Sequence, residues 1–199
     1  MNNYQKQEQQ LQEIQGRPSL LLHVCCGVCS VYPLLYLREY FDITIFFSNS
    51  NIYPYEEYLK RLDALNIYLQ RLNDEKIKLI IPSYQNEIFT KKLSRYKDDP
   101  EGKRRCVLCY ALRLKETFAY AKKNGYDYVT TVMSVSNRKN ADYINQLGEL
   151  FEKEYHVKYL HADFKKADGI TINEKLNKQL GLYHQNYCGC IYSLSKKDA

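Results

Sequence analysis

The sequence predicts an α/β fold: one domain on an open, doubly wound, mostly parallel sheet with helices on both faces. Three observations carry that expectation. Short apolar runs of strand length recur along the chain, and helical stretches of ten or more residues separate them. The first run leads into a cysteine-rich loop, at the carboxyl end of a strand where sheets of this kind bind ligands. At 199 residues and roughly 150 residues per domain, the chain has room for one compact core.

Residues 1–18 lack clean apolar periodicity and read as a frayed helix or arm preceding the domain of residues 19–199. Ser19 to Val24 (SLLLHV) is apolar enough for a strand buried on both faces. It is followed by CCGVCS and a helix over Val31 to Tyr40. Ile43 to Phe47 is the second strand; SNSNIYP follows, with Pro54 suited to the first helical position of Tyr55 to Leu72. Ile77 to Ile81 is the third strand, and Val107 to Lys123 a helix closed by Asn124-Gly125. Tyr128 to Met133 is the fourth strand, Asn140 to Lys153 a helix, and His156 to His161 the fifth strand. Such alternation implies right-handed crossovers and a parallel sheet.

Composition excludes several classes. Hydrophobic residues at 45% and charged residues at 26% are globular proportions, not those of a disordered, collagenous or coiled-coil chain. The Gln-rich opening lacks the apolar run of a secretory leader, and no stretch approaches the roughly 20 apolar residues of a membrane helix, so a cytoplasmic protein is expected. The net charge of +6 is compatible with an anionic partner without establishing one. More telling is the run from Lys91 to Arg105, where Lys91, Lys92, Arg95, Lys97, Lys103, Arg104 and Arg105 face only Asp98, Asp99 and Glu101, and which ends on Cys106.

The 7 cysteines fall into three clusters: Cys25, Cys26 and Cys29; Cys106 and Cys109; Cys188 and Cys190. An isolated free cysteine is usually a small buried hydrophobe, but grouping beside glycine, basic and turn residues points to metal binding. Four thiolates make a structural zinc site or hold a 4Fe–4S cluster, and a redox-active dithiol would use two. Cys25 and Cys26, adjacent on the chain, are expected to face two different metal centres.

The strings LLHVCCGVCS (Leu21 to Ser30), SNSNIYPYEEYLKR (Ser48 to Arg61), CVLCYALRL (Cys106 to Leu114), TTVMSVS (Thr130 to Ser136), DFKKADG (Asp163 to Gly169) and LYHQNYCGCIYS (Leu182 to Ser193) resemble, in order, the motifs of the QueH-type epoxyqueuosine reductases. The resemblance runs from about residue 19 to residue 193, and its most specific parts are the paired cysteines, CxxCYxxRL and YxQNYCGC. It implies a fold related to the adenine-nucleotide hydrolase-like group, a 4Fe–4S cluster with an adjacent second iron ion, and no cobalamin. The reaction it implies is the deoxygenation of epoxyqueuosine in the anticodon loop of tRNA to queuosine, with electrons from an external low-potential donor.

On that basis all seven cysteines are candidate metal ligands, and Cys29, Asp163 and Asp168 are candidate catalytic residues, the two aspartates as a carboxylate for iron or a proton source for the departing oxygen. Arg113, one turn after Cys109, and Arg104 and Arg105 are candidates for phosphate. Gln185 and Tyr187 are candidates for contact with a base, and Asn49, Asn51 and Glu57 for lining the pocket after the second strand. His23, inside a strand, reads as a satisfied core histidine. A zinc-stapled RNA-binding module is the rival reading; a tRNA sulfur transferase of this fold class would carry an SGGxDS-like ATP loop where CCGVCS stands.

Overall fold

The computed structural model describes residues 1–194. A capped helix, α1 (Asn3–Gln12), leads into β1 (Ser19–His23), α2 (Gly27–Leu37), β2 (Asp42–Phe46), α3 (Tyr55–Leu72) and β3 (Lys78–Ile80). After α4 (Asn86–Leu93) and a 3-10 turn come α5 (Arg104–Asn124), β4 (Tyr128–Thr131), a second 3-10 turn over Val132–Val135, α6 (Ala141–Tyr155), β5 (Lys158–Tyr159), α7 (Gly169–Leu180) and α8 (Ile191–Leu194). The strands are all parallel and lie in the order β3–β2–β1–β4–β5.

From β1 the chain steps outward through β2 to β3, returns past β1, and steps outward the other way through β4 to β5. The direction reverses between β1 and β4, so the crevice beyond their carboxyl ends is the switch point where such sheets bind ligands. Right-handed crossovers put α2 and α3 on one face and α5 and α6 on the other. The packing groups them the same way: α2 lies on α3 and α7, and α5 lies on α6. Leu20, Leu21 and Leu22 of the central strand are fully buried, as a strand covered on both faces requires. Helix α5 turns Leu114, Phe118 and Ala121 to the same core, a spacing of four and three that keeps one stripe inward.

The expected α/β class and all five strands are present, with ends displaced by a few residues. The N-terminal residues expected as a frayed helix or arm form a helix that docks: Gln7 and Leu11 are buried, Lys6 pairs with Glu149 at 2.7 Å, and Gln10 donates to the Tyr159 carbonyl. Helix α2 begins four residues before the expected Val31, directly after Cys26, which places Cys29 in its first turn. No helix among the described residues is long and apolar enough to cross a membrane.

Candidate metal centre

The first group of thiols is built by the end of β1 and the start of α2. Cys26 is the extended N-cap of α2, and no side chain caps the helix there, so its first amides and the positive end of its dipole face the thiols. The Sγ atoms of Cys25 and Cys26 are 3.7 Å apart, those of Cys26 and Cys29 are paired as a disulfide, and all three lie within 4.8 Å of one another, buried. Two thiolates on one metal at about 2.3 Å in tetrahedral geometry stand roughly 3.8 Å apart. The Cys25–Cys26 spacing suits two ligands on a single ion, where the sequence reading placed the two thiols at different centres.

Gly27 in this loop serves packing. A Cβ there would stand 2.6 Å from the Ala64 carbonyl carbon and 2.7 Å from the Leu65 nitrogen, both α3 backbone. The missing side chain lets α2 press against α3 and fixes where the thiols sit.

The second group joins Cys106 and Cys109, one turn apart at the start of α5, to Cys188 and Cys190 in the loop before α8. Burial pushes the Cys109 thiol up to about 12, Arg113 opposes the rise, and the neighbouring Cys188, Cys190 and Cys106 add to it. Burial also raises Cys106, against the Gly102 amide that donates to its Sγ at 3.1 Å, and raises Cys190. Neighbouring thiols thus oppose the ionisation of Cys106, Cys109 and Cys190. A cation among them reverses that preference, because metal-bound cysteine is thiolate.

One cavity of about 190 Å³ joins the groups: Cys25, Cys26, Cys29 and Cys188 all line it, at the switch point of the sheet. Asn49, Asn51, Arg113, Gln185 and Tyr187 line it too, as expected from the sequence. The Asn49 amide donates to the Val24 carbonyl at 2.8 Å, and its Oδ1 accepts from Arg113 at 2.5 Å. Gln185 donates to Cys26 Sγ at 3.1 Å, the kind of outer hydrogen bond that supports a thiolate ligand. Asn51 Oδ1, Arg113 Nε and Gln185 Oε1 are buried without a hydrogen-bond partner, three polar atoms left for a polar occupant.

The remaining candidates lie elsewhere. The Arg105 guanidinium is buried beneath the carbonyls of Tyr96, Lys97 and Asp99 and stacks on Tyr192, so it holds the preceding loop. Arg104 is exposed and paired through two hydrogen bonds with Asp99, holding that carboxyl below its usual range, on a groove separate from the thiol cavity. Asp168 is exposed at the start of α7 and outside the cavity lining. Asp163 is buried but likewise outside it, its Oδ1 3.9 Å from Lys165. Glu57 acts one layer back: it receives Arg61 at 2.7 Å and the Tyr183 hydroxyl at 2.7 Å. His23 is the satisfied core histidine expected, bonded to Thr131 and Ser48, and burial, then Arg113, hold its pKa well down.

Three arginine or lysine residues of the cavity were not singled out from the sequence: Arg61, Arg138 and Lys139. Arg61, 3% exposed, donates to the carbonyls of Cys188 and Tyr187 at 3.1 Å and stacks on the Tyr187 ring. Gly189 adopts φ +111°, and a Cβ there would meet the Arg61 guanidinium at 2.9 Å. The turn between Cys188 and Cys190 is thus moulded on Arg61. Its signal in the sequence is the Glu57–Arg61 spacing of four on a helix. Arg138 and Lys139 follow β4 at the ligand-binding end of the sheet, where the switch-point rule points.

Comparison with known proteins places the chain. The family model described as Epoxyqueuosine reductase QueH matches residues 20–196. Proteins named Epoxyqueuosine reductase QueH are similar over most of their length. That of Streptococcus pyogenes serotype M1 is 34% identical over 96% of this chain and 78% of its own. Those of Staphylococcus aureus and Thermotoga maritima are 38% and 34% identical, over 89% and 90% of this chain and 76% and 92% of theirs.

Proposed function

The chain belongs to the Epoxyqueuosine reductase QueH family, and from that premise we infer that it removes the epoxide oxygen of epoxyqueuosine in tRNA to give queuosine, in the cytoplasm. The observation that supports this most is the shared cavity, where Cys188 of the four-thiol group meets the three thiols that follow β1.

The donor set fits two metal groups. Cys106, Cys109, Cys188 and Cys190 would hold a 4Fe–4S cluster, and Cys25, Cys26 and Cys29 the second iron, so that Cys29 serves as a ligand. When bound, the cluster would relay electrons from a low-potential donor and the iron would act as Lewis acid toward the oxygen. The protein's own part is positioning. Arg61 sets the loop carrying Cys188 and Cys190. Asn49 fixes Arg113. Asn51, Gln185 and Arg113 present their unpartnered polar atoms to the hydroxyls and ring nitrogens of the bound nucleoside. The groove lined by Tyr96, Lys103 and Arg104 directly precedes the α5 thiols and suits the flanking RNA, with Arg104 stacked 5.0 Å from the Tyr96 ring.

Anaerobically reconstituted protein, given a low-potential donor and no cobalamin, is expected to convert epoxyqueuosine to queuosine in a tRNA anticodon stem-loop. Mass spectrometry of the digested RNA reads the conversion. A metal-replete preparation that leaves the epoxide intact under several donors contradicts the reading, and a preparation holding only zinc supports the rival RNA-binding module.

A further inference from the structure

Four cations line the thiol cavity, and three are engaged by the protein. Arg61 is held by Glu57 and two carbonyls, Arg113 by Asn49, and Arg138 by the Asn186 carbonyl at 3.3 Å. Lys139 is different. The residue is 9% exposed, yet no hydrogen bond or carboxylate among the described residues engages its Nζ. That nitrogen is also absent from the buried polar atoms sealed without a partner, so the tip reaches open space while the stem is covered. Both ends of the residue's backbone are fixed: its amide donates to Ser136 at 3.1 Å and its carbonyl accepts from Lys165 at 3.1 Å. Among the described residues the fold thus leaves an uncommitted ammonium on a residue that follows the 3-10 turn after β4 and lines the small cavity walled by Cys25, Cys26 and Cys29.

We propose that Lys139 is a catalytic residue that contacts the epoxide oxygen and gives it a proton as the carbon–oxygen bonds break, an inference that rests on the epoxide-reducing reading above. Overall, two electrons from the low-potential donor and two protons convert the epoxide to an alkene and water. Lys139 supplies the first proton and recovers one from solvent, and solvent supplies the second. An oxygen that gains negative charge beside a preorganised ammonium is stabilised where water is excluded. A backbone phosphate is the other anion that Lys139 could meet; a cavity of about 190 Å³ at the strand ends suits a nucleoside ring better than a phosphodiester.

The test is a binding cycle, measured on anaerobic, metal-loaded, oxidised protein without reductant, so that nothing turns over. Stem-loops carry epoxyqueuosine, queuosine or unmodified guanosine. Wild-type protein is expected to prefer the epoxyqueuosine stem-loop over the queuosine one by about tenfold, since that is the range of a hydrogen bond to a charged group. Lys139→Met should bind the two alike and, under turnover, lose roughly 10²- to 10⁴-fold in kcat with the cluster spectrum unchanged. Lys139→Arg should keep the preference and still lose turnover, because a guanidinium does not release its proton; it decides the matter if the methionine variant fails to fold. An undiminished preference in Lys139→Met, or undiminished turnover in either variant, overturns the proposal. Equal weakening toward both stem-loops, with kcat intact, makes Lys139 a phosphate contact and also overturns it. If wild-type protein does not distinguish modified from unmodified stem-loops, the reductase reading fails and takes this inference with it.

Discussion

At the residue scale, the charged groups around the cavity work mainly on the protein itself. The Glu57–Arg61 pair is buried on both sides, and removing one partner of such a pair costs about 3–5 kcal/mol because the other charge is left unpaired. Glu57→Gln should therefore lower unfolding free energy by about 3 kcal/mol and reduce iron bound at the four-thiol group, since Arg61 no longer moulds the Cys188–Cys190 turn. Denaturant unfolding with iron assay checks this; wild-type stability and iron content would show the pair to be idle. The thiols set a pH dependence of their own. In metal-free protein Cys109 lies at about 12 against an ordinary 9.0. A raised value means that the neutral thiol stabilises the fold fully below pH 9.0, and that this contribution drains away as pH climbs toward about 12. Metal-free protein should lose stability over that alkaline window. Loaded protein should instead lose metal on acidification, because protons then compete for the thiolates. Melting curves of both forms across pH read the opposite signs.

At the element scale, the strand pattern was legible because a buried parallel sheet leaves near-continuous apolar runs, and β1, β2 and β4 carry them plainly. What the pattern did not show were α4, α7 and α8, which interrupt no strand alternation, and the early start of α2, where cysteines replace the usual helix-starting residues. The seven thiols were legible as candidate ligands by their grouping, whereas their proposed division into three and four depends on where α5 and the loop before α8 are brought by the fold. In the Lys91 to Arg105 run charge alone does not give placement: Arg104 and Arg105 are adjacent and alike in sequence, yet one faces solvent and the other is buried under three carbonyls. Direction around a helix start decides that, and composition does not carry it. The α2–α3 contact gives a direct test. Gly27→Ala must force the two helices apart, at a cost of about 1–3 kcal/mol by overpacking, and should shift Cys26 and Cys29 relative to Gln185. A drop in Tm with loss of the second iron is the expected result; an unchanged Tm would place the contact elsewhere.

At the scale of the whole molecule, the proposed ligands from the β1–α2 loop, α5 and the loop before α8 meet only when the sheet is assembled, so metal binding would be coupled to folding. Chelation should lower Tm and broaden unfolding, read by calorimetry before and after metal removal. The central claim is that the cysteines divide into a four-thiolate cluster site and a three-thiolate iron site sharing one cavity wall. The most direct measurement is iron and acid-labile sulfide, with Mössbauer spectra, on anaerobically reconstituted wild-type, Cys25→Ser and Cys109→Ser proteins. The account predicts about five iron atoms and four sulfides in wild-type protein, about four of each in Cys25→Ser with the cluster signal kept, and loss of the cluster signal and sulfide in Cys109→Ser. Loss of the cluster signal in Cys25→Ser, or its survival in Cys109→Ser, would contradict the division.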